Sequence, residues 1–210
     1  MVNPLAAEEE IDLIRRAQRG DRGAMNRLLE THQQRVYRVC IRMVGHREDA
    51  AELAQDTLVK LVENLETFRG DAKLTTWLTR VAINACLSHR RKAKLRQTVS
   101  IDQPAVAAAA DGPTLAHRLP EDSQSSAEPR PEQRVQLKED LARLQQALLE
   151  LDPEHRSVLV LRDIEQLDYQ AIGEVLDLPL GTVKSRLFRA REALRQTMHA
   201  AESQPGRPAD

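Results

Sequence analysis

The sequence predicts an all-α protein made of two small helical domains joined by a flexible linker. Three observations lead there. Apolar residues recur at helical spacing through both ends of the chain, strand-type alternation is absent, and Gly and Pro fall mainly between the periodic blocks. With 210 residues, 41% of them hydrophobic, the chain has room for one large domain or two small ones with packed cores.

The first unit, residues 8–96, reads as four helices near 8–19, 22–44, 48–65 and 72–93. The third has two faces of opposite character. Ala54, Leu58, Leu61 and Leu65 cluster on one side, and Asp49, Glu52, Gln55, Asp56 and Glu63 on the other. That acidic stripe is either a solvated face or a surface for a basic protein partner. In the fourth helix, Leu74, Leu78, Val81, Ala82 and Ala85 make the core stripe, while Arg80, Asn84 and Arg91 share the opposite side. From Arg80 to Arg96 there are six Lys and Arg and no acid. Cations are favoured at a helix C-terminus, but six without a compensating acid exceed that need and point to a polyanion surface. Upstream lies the loop Phe68-Arg69-Gly70-Asp71, followed by Trp77. An aromatic beside cations suits stacking on unpaired bases; Trp77 is equally suited to anchor the core of a small bundle.

Residues 97–131 form the predicted linker. They hold five of the ten prolines (Pro104, Pro113, Pro120, Pro129 and Pro131), an alanine run and a serine cluster, with almost nothing large to bury. Such a composition cannot offset the entropy of ordering. The second unit covers residues 132–198, and residues 199–210 read as a disordered tail.

Within the second unit the stretch LDYQAIGEVLDLPLGTVKSRLFRAREALR has the order of a helix-turn-helix DNA reader. Asp168 can N-cap the first helix. Gly173 inside that helix costs about 1 kcal/mol relative to Ala, which a close approach by the second helix would explain. The run Asp177-Leu178-Pro179-Leu180-Gly181 breaks the chain, since Pro disfavours helix in the residue before it. In the second helix, at roughly 100° per residue, Val183, Leu187, Ala190 and Leu194 form the buried stripe. Thr182, Ser185, Phe188, Arg189 and Glu192 lie opposite, flanked by Lys184, Arg186 and Arg191. A helix laid in a major groove has this form, with central side chains at base edges and flanking cations at phosphates. Phe188, an aromatic on the solvent face, suits a thymine methyl or a sugar. From Gly181 to Arg195 there are five basic residues and one acid, against seven acids and two bases from Asp152 to Asp177.

Charge and cysteine content narrow the function classes. The net charge of −1 argues against indiscriminate polyanion binding, so nucleic-acid contact must be local. Residues 1–96 carry 18 Lys and Arg against 13 Asp and Glu, and residues 97–134 carry 3 against 6. No apolar run approaches the roughly 20 residues of a membrane span, and MVNPLAAEEE is too acidic for a signal peptide; with only two cysteines, too few for a disulfide framework, a reducing cytoplasm is the expected home. His32, Cys40, His46, Cys86 and His89 lack CxxC or HExxH spacing, and no Gly-rich phosphate loop occurs. No metal, no cofactor and no enzymatic activity are therefore expected, and Cys40 and Cys86 read as buried thiols.

Three segments, DAAELAQDTLVKLVENL, FRGDAKLTTWLTRVAINACLSHRRK and LDPEHRSVLVLRDIEQLDYQAIGEVLDLPLGTVKSRLFRAREALR, resemble bacterial RNA polymerase sigma factors of the extracytoplasmic-function group in the sigma-70 family. The resemblance covers both units in the family's order. It implies that the first unit is a sigma-two domain in which Asp49, Glu52, Gln55 and Asp56 dock on the clamp helices of the polymerase's largest subunit. Phe68, Arg69, Asp71, Trp77, Arg80, Asn84, Arg90 and Arg91 would then engage the promoter's minus-ten element and capture an extruded base, whose unstacking takes a few kcal/mol. It further implies a sigma-four domain that reads the minus-thirty-five element through Thr182, Lys184, Ser185, Arg186, Phe188, Arg189 and Arg191 and meets the polymerase flap. The implied partners are core RNA polymerase, promoter DNA and an anti-sigma factor, without membrane insertion. Two positions depart from the family's habit: Pro179 replaces a capping Ser or Thr, and Met25 replaces an aromatic. The competing reading is a LuxR-type helix-turn-helix regulator, which leaves the first unit's loop, Trp77, Asn84 and basic end unexplained.

Overall fold

A computed structural model describes residues 7–99 and 131–202. All the regular structure among them is helical, as the periodicity predicts. The first half contains α1 (Ala7–Gln18), α2 (Arg22–Val44), α3 (Arg47–Asn64), a 3₁₀ turn over Leu65–Thr67 and α4 (Leu74–Val99). In the second half, α5 (Pro131–Glu150) and α6 (Pro153–Leu159) lead into one π-helical turn over Val160–Ile164, then α7 (Tyr169–Leu176) and α8 (Leu180–Glu202).

Helix α2 is the axis of the first half and packs against α1, α3 and α4. It starts where the Asp21 side chain accepts from Ala24 N at 3.1 Å, and Arg16 clamps the same carboxylate at 2.8 Å. That guanidinium, with the capping N–H, holds the Asp21 carboxyl below the usual range. The helix ends at Gly45, whose φ of 80° supplies a left-handed cap that glycine adopts without strain. Buried His32 sets its Nε2 3.1 Å from Glu10 Oε1, tying α1 to α2. The core stripes follow the expected periodicity: Ala54 and Leu61 from α3, Leu65 at the start of the 3₁₀ turn, and Leu74, Leu78 and Ala82 from α4. Ile83 and Cys86 widen the α4 stripe beyond expectation. Cys40 and Cys86 are both buried free thiols; the hydrogen bond between them and their burial push Cys86 far above an ordinary thiol pKa. Cys86 is therefore an inert, protonated packing group.

In the second half, α8 packs against α5, α6 and α7. The expected linker, 97–131, lies largely outside the described residues, with two corrections at its ends. Helix α4 continues through Val99, and α5 begins at Pro131, where proline's fixed φ suits a first helical position. The tail expected from residue 199 is also helical as far as Glu202. A larger difference concerns the two halves themselves. They pack together, α2 and α4 lying against α5 and α6, with α4 also against α7, and one continuous cluster of buried residues runs through both.

Candidate nucleic-acid interface

The helix-turn-helix forms as its residues predict. Asp168 accepts from Ala171 N at 2.8 Å and opens α7. Asp177 closes it in the left-handed region at φ 54°, and Leu178 N returns to Gly173 O at 2.9 Å. The reason for glycine at 173 differs from the expected one. A Cβ there would lie 2.8 Å from the Leu178 carbonyl oxygen, whereas the nearest atom of α8, on Val183, is 3.9 Å away. The turn's backbone excludes a side chain, and the second helix barely contributes. Pro179 also serves differently: it precedes α8, and its carbonyl accepts from Thr182 N and Val183 N. A backbone acceptor thus begins the helix, in keeping with the loss of the family's capping Ser or Thr.

On α8, Val183, Leu187 and Ala190 are buried, and Leu194 is half-buried, as the angular reading required. Lys184, Ser185, Phe188 and Arg189 point to solvent; Phe188 is 75% exposed. Thr182 is half-buried beside them, and its carbonyl accepts from Ser185 Oγ. Two of the three flanking cations behave otherwise. Arg186 is half-buried and pairs with Glu154 at 3.0 Å, while Arg191 makes a two-pronged bond to Asp163, 2.5 Å at its shorter contact. Of the three charges expected at phosphates, these two are thus already held by acids of the same half.

The minus-ten candidates form a second surface. The loop after α3 is braced from α1, because Gln18 Nε2 donates to Leu65 O and Phe68 O at 3.0 and 2.9 Å. Gly70 turns it through φ 79°, leaving Arg69 and Asp71 exposed. Phe68 and Trp77 meet edge to face, with ring centroids 6.3 Å apart. Together with Leu61, Asn64, Leu65 and Leu74 they line a shallow surface depression too small to enclose a water molecule. Trp77 is half-buried against the bundle, which suits the core-anchor reading, and it borders that depression near the start of the basic helix. One turn on, Arg80 and Asn84 are exposed on a common face of α4, opposite buried Thr79, Ile83 and Cys86. Arg91 is exposed and bonds Ser88, whereas Arg90 is half-buried toward the second half.

The acidic face of α3 presents Glu52, Gln55 and Asp56 fully and Asp49 in part. Val59 and Val62, exposed by 47% and 46%, lie among them at helical spacing. Gln18 and these valines escaped the sequence reading. The valines could have been found by extending the helical wheel past the acids; Gln18, 47 residues before its first partner, gave no local sign. Among the described residues no group of His, Cys, Asp and Glu could hold a metal, and no helix is long and apolar enough to cross a membrane.

Comparison with known proteins agrees with this geometry. Residues 28–96 match the family described as Sigma-70 region 2, and residues 141–194 match Sigma-70, region 4. The chain is 32% identical to the ECF RNA polymerase sigma factor SigW of Bacillus subtilis over 185 residues, spanning 88% of this chain and 94% of the relative. It is 34% identical to the RNA polymerase sigma-H factor of Pseudomonas aeruginosa, over 90% of this chain and 94% of that one. In fold it is similar to the sigma factor RpoE solved in complex with the anti-sigma factor NepR from Bartonella quintana, with a TM-score of 0.60 and 22% identity over 83% of this chain and 96% of that one. With the region 2 and region 4 matches in family order and relatives alike over nearly their whole length, the chain belongs to the extracytoplasmic-function group of sigma factors, which bind core RNA polymerase and direct it to promoters.

Proposed function

We propose that residues 8–96 act as the core-docking and minus-ten domain and residues 132–198 as the minus-thirty-five domain, with 97–131 as the tether between them. The carrying observation is the exposed pair Phe188 and Arg189 on a helix whose opposite face is fully packed. Such a helix offers an aromatic to a thymine methyl and a guanidinium to guanine in the major groove. Lys184 and Ser185 extend that face, and Thr182 sits at its edge. In the first domain, Arg80 and Asn84 meet the backbone and edge of the unpaired minus-ten strand beside Arg69, Asp71 and the Phe68–Trp77 recess, with Arg90 and Arg91 on phosphates. Asp49, Glu52, Gln55 and Asp56, with Val59 and Val62, form the seat for a basic surface of the polymerase clamp. The protein acts in the cytoplasm, has no catalytic activity of its own and is restrained by an anti-sigma factor. The solved complexes of the fold neighbours RpoE and CnrH, with NepR and with the cytosolic domain of CnrY, support that last role by analogy.

The two surfaces separate in a reconstituted initiation assay. Arg189→Ala should lower use of promoters carrying a minus-thirty-five element by about tenfold or more, matching the 1–3 kcal/mol of a good bidentate base contact, with core affinity unchanged. Asn84→Ala should leave closed-complex formation intact and slow strand opening, read as permanganate reactivity of minus-ten thymines. Equal loss of core binding in either variant would contradict the assignment.

A further inference from the structure

The loop that carries Arg69 and Asp71 hangs between two backbone carbonyls, and each is held. At its exit, Lys73 O accepts from Thr76 N at 3.0 Å and Trp77 N at 3.1 Å, which starts α4. At its entry, Phe68 O accepts from Gln18 Nε2 at 2.9 Å. The same nitrogen donates to Leu65 O at 3.0 Å, and Leu65 O also accepts from Phe68 N at 3.1 Å, closing the 3₁₀ turn. One amide thus ties the turn's first carbonyl to the loop's entry. Both partners are acceptors, so the position needs a side chain with two N–H groups to give.

Gln18 is itself firmly mounted. It is the last residue of α1. Beyond it, Gly20 N returns to Ala17 O at 2.9 Å and Asp21 N to Arg16 O at 3.1 Å. The Arg16 guanidinium closes on the Asp21 carboxylate that caps α2, and Leu13 and Ala17 are buried in the core. The amide therefore reaches the loop from a fixed helix end.

We propose that Gln18 is a positioning residue for promoter opening, setting the direction in which the chain leaves Phe68 so that the loop meets the unpaired minus-ten strand. The proposal rests on the reading of this loop as the minus-ten contact. A held Phe68 carbonyl fixes the plane of the peptide that joins Phe68 to Arg69, because that unit is rigid. Only Arg69 then separates it from Gly70, where the chain turns through φ 79° toward Asp71. The Phe68 ring is held too, edge to face with Trp77 at 6.3 Å. Arg69 and Asp71 are exposed, so their placement comes from the backbone beneath them and not from packing. A contacting group displaced by about 1 Å can lose about a hundredfold in rate. A loop already ordered also meets an extruded base without the entropy of ordering being lost at that moment.

The test uses the full-length chain with Gln18→Glu, Gln18→Ala and Gln18→Lys. Ionised Glu keeps the shape of Gln but turns an acceptor toward two carbonyl oxygens. Ala removes the donor without adding charge, and Lys keeps a donor at similar reach. Trp77 is the chain's single tryptophan, so its emission reports the Phe68 contact in the free protein. The Glu and Ala variants should shift that emission to the red and admit more acrylamide quenching, with helical content by circular dichroism unchanged. On a promoter with core polymerase, permanganate reactivity of minus-ten thymines should develop about tenfold more slowly in both, the scale of losing two neutral hydrogen bonds at roughly threefold each. Core affinity and closed-complex formation should match the parent, and Gln18→Lys should match it in every readout. Unchanged Trp77 emission, opening at the parent's rate, equal slowing in all three variants or a matching loss of core affinity would each overturn the role. Gln18→Ala carries the test should Gln18→Glu fail to fold. A parent that opens no promoter with core would contradict the minus-ten reading instead, and the Trp77 series would still decide whether Gln18 holds the loop.

Discussion

At the scale of single residues, Phe188, Asp163 and Gly173 show three ways a position serves the reading helix. Phe188 was legible from its angle on the helix alone, because period 3.6 assigns it to solvent and nothing inside the chain competes for it. The pairing of Arg191 with Asp163 was not legible, since the acid lies 28 residues earlier and only the folded turn brings it near. If Arg191 is to reach a phosphate, it must first give up Asp163. Asp163→Asn should therefore tighten binding to duplex minus-thirty-five DNA several-fold and steepen the salt dependence by about 0.9, one extra phosphate contact. An unchanged slope would show that Arg191 does not reach the backbone. Gly173 was recognised as an anomaly but attributed to the wrong neighbour, because a turn's carbonyl leaves no trace in hydrophobic spacing. Ala at that position gains about 1 kcal/mol of helix propensity, yet forcing its methyl against the Leu178 oxygen costs about 1–3 kcal/mol. The net expectation for Gly173→Ala is a lower melting temperature and lost minus-thirty-five binding with core docking retained; a more stable protein would refute the crowding.

Among the elements, interiors were easier to read than ends. The stripes of α3, α4 and α8 appear where the apolar spacing places them. Helices α4 and α8 outrun their expected ends because neither Val99 nor Glu202 follows a Gly or Pro: the next breakers are Pro104 and Pro205. On α3 the acids alone were ambiguous, and two exposed valines, Val59 and Val62, lie among them. If that face seats the polymerase clamp, Asp56→Lys should weaken core affinity at least tenfold at low salt and by less at high salt, since exposed charges are screened. Duplex binding by the second half should not change. A loss of core affinity independent of salt would point to misfolding or to a purely apolar seat.

For the whole molecule, two halves and a tether were expected, and their mutual packing was not. The groups that join them look ordinary in sequence: Arg156 beside an apolar run, Glu165 in an acidic stretch, Leu149 at a helix end and Gly45 as a cap. None has a spacing that links it to the other half, because the pairing crosses the boundary between independent periodic blocks. The two proposed promoter-contacting surfaces, locally basic in a chain of net charge −1, make sense for a subunit that relies on a larger enzyme for most of its grip. Run-off transcription over a genomic promoter library, with purified core polymerase and the full-length chain, tests this most directly. Initiation that requires both components, at promoters sharing minus-ten and minus-thirty-five sequences, is the predicted result. Tight binding to duplex promoters without core, together with no core-dependent initiation at any promoter, would contradict it.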